Sequence, residues 1–398
     1  MKILIQIAAL LLSGWCLHSC QSDPVKTTSS PAPQKQDVTT KPEVFWYVVN
    51  VDKLRLREEP SLTASVMKQL NEGEIVEGNG EKSANQDEVD LRGISIKAPY
   101  YRVTSQATGR PAGWAFGGAL VQIYAGTRAG SPDSLTLTAL TEFLKGLDTK
   151  AVESGSKAWA YTEQHFSNAG GALADAAFIL LEQFFRRMER EGTFYTMTES
   201  QKWSEADMTA IYEDKFDPAS KPVTKTLATN GFRIVTAEGS VFPVTDCRKF
   251  QAFFAPKATP AMRDYINQRT NEQNNPMYDD GGVIVPLEMV AEQAVFWEKF
   301  NRTNPWFPLR EETKHSEEWL ELVLVNGSDN TPAFSYETDQ IDEEFKNVWT
   351  YIQQKHPDTE LAKTVKQMAD LCAADNWKRT KKVEAFQEQT AKKFQETE

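Results

Sequence analysis

The sequence is short of the residues that usually announce chemistry. Four cysteines and four histidines are spread over 398 residues, with no Cys-x-x-Cys and no Cys/His cluster. A zinc site built from thiolate and imidazole is therefore not expected. There is no Gly-rich phosphate loop, no Gly-x-Ser-x-Gly elbow, no His-Glu-x-x-His and no Ser-x-x-Lys with its companion motifs. Positive charge is in deficit: 44 Lys and Arg stand against 56 Asp and Glu, a formal net charge of −12. An acidic chain without a local basic face repels phosphate backbones, so no nucleic-acid partner is expected. Among 56 acids a pair of carboxylates carries no meaning by itself, and none is singled out. Long apolar runs are absent too. The one candidate, Ile3 to Leu12, has ten residues, and a helix of that length cannot cross about 30 Å of hydrocarbon.

What is present is an ordinary globular composition, 40% hydrophobic and 25% charged, long enough for two or three domains. The extreme N-terminus is an exception. Met1-Lys2 followed by the short apolar run has the form of a secretory signal. Leu17-His18-Ser19-Cys20 then resembles the lipobox of bacterial lipoprotein signal peptides, with Leu three before the Cys and a small residue just before it. His18 departs from the usual small residue, and Cys16 is a poor rival because bulky Trp15 precedes it. The resemblance implies cleavage after residue 19 and a diacylglycerated Cys20; ordinary secretion is the alternative. Residues 21–42 hold seven Ser/Thr, four Pro and only three aliphatic side chains, too few to offset ordering entropy. Residues 20–44 are thus expected to be a disordered tether between membrane and folded protein. Gln21-Ser22 lacks the Asp that marks inner-membrane retention in enteric bacteria, so an outer-membrane address, facing periplasm or surface, is favoured. Cys247 and Cys372 remain, 125 positions apart, as one disulfide or two buried thiols.

From Phe45 the pattern changes to short alternating runs. Leu54 and Leu56 alternate with Arg55 and Arg57, a half-buried strand whose arginines face the other way. Val66 to Leu70, Glu74 to Glu77, Tyr100 to Val103, Gly113 to Phe116 and Leu120 to Ile123 complete a set of short strands expected to make a small barrel or sandwich. In LRLREEPSLTASVMKQLNEGEIVEG, the order Leu54, Leu56, Arg57, Pro60, Ser61, Val66, Leu70, Gly73, Val76 resembles the opening of bacterial SH3 (SH3b, SH3 type 3) domains. Tyr101, Val103, Gly113, Trp114 and Leu120 correspond to the family's second half. The resemblance covers 45–124, about a fifth of the chain, and departs from the family by an insertion at Asn79 to Pro99, expected as a long loop. It implies an SH3-like β-barrel that binds peptidoglycan, its peptides or an envelope partner. Tyr100, Tyr101, Trp114 and Phe116 are the candidate ligand contacts, because aromatic rings give large contact area at low entropy cost. The competing reading is core packing, and alternation requires one of the two tyrosines to point inward.

Residues 131–398 read as a mostly helical domain with one β-hairpin over Gly231 to Val244. Helices are expected from about 133, over 172–190, and near 259–275, 286–302, 316–325, 339–355, 358–374 and 376–396. Three constellations stand out. Thr245-Asp246-Cys247 sits downstream of the SH3b-like segment and resembles the Asp-Cys start of NlpC/P60 cysteine peptidases, whose thiol opens a helix. Arg248-Lys249 replace the family's Ser-Gly, and no strand-borne His follows about fifty residues on; His315 is expected at a helix start. Tyr278-Asp279-Asp280-Gly281-Gly282 could offer carboxylates to a hard cation, but two acids are too few ligands, and a turn is expected. Phe296, Trp297, Phe300, Trp306, Phe307 and Trp319 are read as core, with a sugar-stacking platform or partner groove as the alternative. The fold class expected is thus α+β multidomain. The function expected is a lipid-anchored, non-enzymatic envelope protein, without cofactor or metal, whose helical part is a docking scaffold. A cell-wall hydrolase centred on Cys247 is the alternative.

Overall fold

The computed structural model describes residues 44–49, 51, 53–71, 74–91, 94–105, 111–126, 132–192, 194–304 and 307–395. The signal peptide, Cys20 and the tether up to residue 43 lie outside the described residues, as do Gly73 and Trp306. The first part of the described chain is strand: β1 (Val44–Val49), β2 (Leu54–Arg57), β3 (Val66–Leu70), β4 (Ile75–Leu91), β5 (Ile94–Ser105), β6 (Ala112–Phe116) and β7 (Leu120–Gly126). All pairings are antiparallel, in the order β3-β2-β6-β5-β4-β1-β7, and a 3-10 turn (Gly117–Ala119) joins β6 to β7.

Strand β1 is buried on both faces, which is why it reads as an unbroken apolar run rather than an alternation. Tyr47 and Val49 pack with Leu54, Leu56, Leu70, Val76, Val103 and Ala115 in a small core that belongs to the sheet alone. Val44, Trp46 and Val48, on the opposite face, share a core with the helices that follow.

Two expectations for this region are corrected. The insertion at 79–99 is not a loop: β4 runs on to Leu91, and β5 returns from Ile94 as a two-stranded arm. Val89, Leu91 and Ile96 supply the β-branched and apolar positions that such an arm needs. Register shifts between Gly78 and Lys82 and between Lys82 and Gln86 kink it. Gly80 sits at φ +80°, and a Cβ there would meet the Phe45 ring at 2.6 Å, so the kink requires glycine. Arg57 does not face solvent with Arg55. It is 5% exposed, and its Nη1 donates to the Ala64 carbonyl at 2.6 Å, tying down the turn between β2 and β3.

The helical part contains, in order, α1 (Pro132–Lys145), α2 (Glu153–Phe166), α3 (Ala172–Glu191), α4 (Phe194–Glu199), α5 (Glu205–Tyr212) and α6 (Pro222–Thr229). The expected hairpin follows as β8 (Phe232–Ala237) and β9 (Ser240–Thr245), then α7 (Cys247–Phe254) and α8 (Pro260–Asn274). A two-residue pair, β10 (Tyr278–Asp279) and β11 (Gly282–Val283), leads to α9 (Leu287–Thr303) and α10 (Arg310–Asn326). A second such pair, β12 (Gly327–Ser328) and β13 (Thr331–Pro332), precedes α11 (Glu343–Lys355), α12 (Glu360–Ala374) and α13 (Lys381–Gln395). The molecule is therefore mixed α/β, an antiparallel sheet followed by a mostly helical region. Two short strand pairs add to the single hairpin expected. Helix α10 begins at Arg310, so His315 lies within it and not at its start. None of the described helices is long and apolar enough to cross a membrane.

Helix α3 is the central element of this region. Phe178, Phe184 and Phe185 on it pack with Trp159, Phe250 and Phe254, and its neighbours include the sheet's last strand. Gly231, at φ +90°, lets the β8–β9 hairpin enter this cluster; a Cβ there would lie 2.7 Å from Trp159 Nε1.

Candidate functional site

The register of β5 against β6 sorts the four aromatic candidates. Tyr100 lies opposite Phe116 and Arg102 opposite Trp114, so these four share one face of the sheet. Tyr101 lies opposite Ala115 on the other face. The arm then divides the shared face. Its Asp87 accepts a hydrogen bond from the Tyr100 hydroxyl (2.9 Å), and its Ser83 accepts one from the Tyr100 amide (2.8 Å). Its Asn85 amide donates to the Pro60 carbonyl at 2.8 Å. Tyr100 and Phe116 meet edge to face, and at 1% and 5% exposure they are structural. Burial, then the carboxylate of Asp87, push the Tyr100 phenol well above its ordinary range.

Trp114 and Tyr101 remain half-buried, each with a cation over its ring. The Arg102 guanidinium lies 5.5 Å from the Trp114 ring centre, and Lys82 Nζ lies 4.7 Å from that of Tyr101. Neither cation has a carboxylate partner within salt-bridge distance among the described residues. Of the four candidates, two are thus available to a ligand, and they lie on opposite faces.

Cys247 does open a helix, α7, and Asp246 caps it by accepting from the Arg248 amide at 3.1 Å. Its surroundings oppose thiolate formation. Burial pushes the thiol up to about 11, and the charged groups acting on it are Arg269, Glu182, Asp246 and Glu189, with no imidazole among them. Cys372 is fully buried and also raised to about 11, chiefly by burial. Both thiols are free, Cys372 buried and Cys247 half-buried, where the sequence left one disulfide or two buried thiols open. The Asp280-Gly281 pair is the tip of the β10–β11 hairpin, at φ +46° and +68°, the left-handed pair of a tight hairpin turn. Among the described residues no group of three or more His, Cys, Asp or Glu stands together as metal ligands.

The helical region holds a cleft of about 660 Å³, lined in part by Trp297 and Trp319, two of the aromatic residues for which a platform or groove is the alternative to core packing. Its walls come from the end of α8, from β10, and from α9, α10 and α13, segments far apart in the chain. Trp297, Phe300 and Phe307 are buried as expected, but Trp319 is only half-buried and forms one wall with Tyr278, ring centres 4.2 Å apart. The charged residues of the wall neutralise one another. Arg269 bridges Glu272 at 2.9 Å and Glu312 at 3.1 Å, and Glu272 also accepts from the Trp297 indole N–H at 2.7 Å. Only tertiary assembly brings these groups together. The one sequence signal was aromatic density, and it does not separate wall from core.

Compared with protein-family models, curated proteins and solved structures, the chain matches none of them.

Proposed function

We propose that this protein is a membrane-anchored envelope lipoprotein, tethered through Cys20, whose sheet is an SH3-like barrel that binds cell-wall peptide or an envelope partner. The helical region serves as a docking scaffold in this reading, and the protein is a binder rather than an enzyme. The observation that carries the reading is the strand order. The path β7-β1-β4-β5-β6, with the β2–β3 hairpin inserted after the first strand and a 3-10 turn before the last, is the order an SH3-like barrel requires. The residue pattern of 45–124 supports the same reading. So does a separate hydrophobic core formed by the strands alone.

The binding surface in this proposal is Trp114 with Arg102. A half-buried indole beside a cation without a carboxylate partner suits a peptide that carries carboxylates. The arm lies over the part of the face that Tyr100 and Phe116 occupy, so the accessible surface is narrower than the four aromatic residues suggest. The test is co-sedimentation of residues 43–398 with purified peptidoglycan sacculi across a salt series. Saturable binding that survives moderate salt and weakens about tenfold in Trp114→Ala is the expected result. Absence of binding moves the role to an envelope protein partner.

A further inference from the structure

We propose a second binding site, the cleft between α8, α9, α10 and α13, and assign it a neutral saccharide as ligand. At about 660 Å³ it falls within the range of about 300–1,000 Å³ typical of small-molecule sites. Three observations define the ligand's chemistry. First, the charges are spent: Arg269 is held by Glu272 and Glu312, and Glu272 by Arg269 and the Trp297 indole, so no counter-ion is called for. Second, the walls are aromatic, with Trp319 against Tyr278 on one side. Flat C–H faces pack on such rings. Third, hydrogen-bonding capacity is left over. The Tyr278 hydroxyl is buried without a partner, which is costly unless a ligand supplies one. The Gln293 amide and the Ser316 hydroxyl, which also line the cleft, have no hydrogen-bond partner among the described residues.

An uncharged molecule with apolar faces and many hydroxyls answers all three requirements. A carboxylate or phosphate would find the Arg269 guanidinium already paired, and His315, the other lining residue able to carry positive charge, stacks on Phe394 with ring centres 4.8 Å apart. A purely apolar ligand would leave the Tyr278 hydroxyl stranded. The site is separate from the Trp114 surface and does not depend on it.

The experiment is titration of residues 43–398 with chitotriose, cellotriose and maltotriose, followed by tryptophan fluorescence and by saturation-transfer NMR. Saturable binding of at least one is expected, weakened about tenfold in Trp319→Ala and about fivefold in Gln293→Ala, and unchanged in Trp114→Ala. Gln293 is half-buried on α9, so its variant still tests the cleft if Trp319→Ala fails to fold. Preference for chitotriose identifies an N-acetylated wall glycan as the source, and preference for either of the others a different glycan. Binding of none of the three, or binding that survives both cleft substitutions, overturns the assignment. Binding lost in Trp114→Ala alone moves the saccharide to the sheet and overturns it equally. Failure here leaves the sacculus experiment untouched, because that one reads Trp114.

Discussion

Glu182, Arg186, Glu312, Arg269 and Glu272 form a chain of alternating charge that links α3, α8 and α10. Arg186 lies between Glu182 and Glu312, Arg269 between Glu312 and Glu272, and the Tyr265 hydroxyl donates to Glu312 at 2.7 Å. Three carboxylates thus face two guanidinium groups. The excess negative charge is relieved at Glu182, the carboxyl that takes up a proton most readily: its side chain is 17% exposed, and burial raises it to about 7, against the pull of Arg186. At Glu312 burial acts in the same direction, but Arg186 and Arg269 outweigh it and hold that carboxyl below its usual range. A carboxyl with a folded pKa above its unfolded one stabilises fully below the unfolded value and loses that contribution as pH rises through the folded one. Stability toward denaturant is therefore expected to fall between about pH 5 and 8, where Glu312 stays ionised, and Glu182→Gln to flatten the slope. Equal slopes in the two proteins would show that the proton does not reside on Glu182.

Helix ends show how far elements depend on their neighbours. Helix α5 carries its own signal, a capping box between Ser204 and Asp207, and Asp342 caps α11 from the adjacent position. Helix α8 is closed from elsewhere in the chain, and α12 both by its own Thr359, whose hydroxyl accepts from the Ala362 amide at 3.1 Å, and from a distant carboxylate. Asp175 on α3 accepts from the Thr259 amide and hydroxyl, at 2.9 and 2.6 Å, at the start of α8. Glu298 on α9, 7% exposed, accepts from the Glu360 and Leu361 amides at 2.8 and 3.0 Å, and so satisfies the two amides at the N-terminus of α12 that Thr359 does not reach. Removing a buried charged acceptor of this kind costs about 1.5–3 kcal/mol. Glu298→Ala is expected to lower the unfolding free energy by about that amount, and Glu298→Gln by less, since an amide oxygen still accepts one bond. Denaturant titration with amide exchange on α12 checks it; an unchanged exchange rate at Glu360 and Leu361 would sink the capping role. The β4–β5 arm is the same lesson in strand form. It is an insertion by sequence, yet its Ser83, Asn85 and Asp87 are fixed by partners at Tyr100 and Pro60.

At the scale of the molecule, the sheet and the helices share a hydrophobic core. Trp46 and Val48 are fully buried in the cluster that contains α3, and β7 packs directly on that helix. Separating the two parts would return an indole and several aliphatic side chains to water, each worth about 1.5–3 kcal/mol. A single cooperative transition is expected for residues 43–398, with tryptophan fluorescence and far-ultraviolet circular dichroism coinciding. Two resolved transitions would mean that the shared core contributes little.

The sequence by itself determined the elements whose signal is local. The alternation at Leu54 and Leu56, the apolar face of α3 and the turn at Glu238-Gly239 all follow from contacts within a few residues, and the structure places them where the periodicity does. The short helix α4 lacked such a signal, and α2 begins with the weak helix formers Ser154 and Gly155; packing selected these elements. The same division holds for the sites. Trp114 and Tyr100 were legible as aromatic residues on strands, but which of them meets solvent was decided by an arm that folds back over one of them. Aromatic density allowed a groove near Trp297 and Trp319, but its lining was illegible because Tyr278, Gln293, Ser316 and Trp319 acquire a common purpose only when three segments converge. Burial of Arg57, the raised carboxyl of Glu182 and the closed end of α12 share that origin. Each depends on a partner distant in sequence, and distance in sequence is what tertiary structure removes.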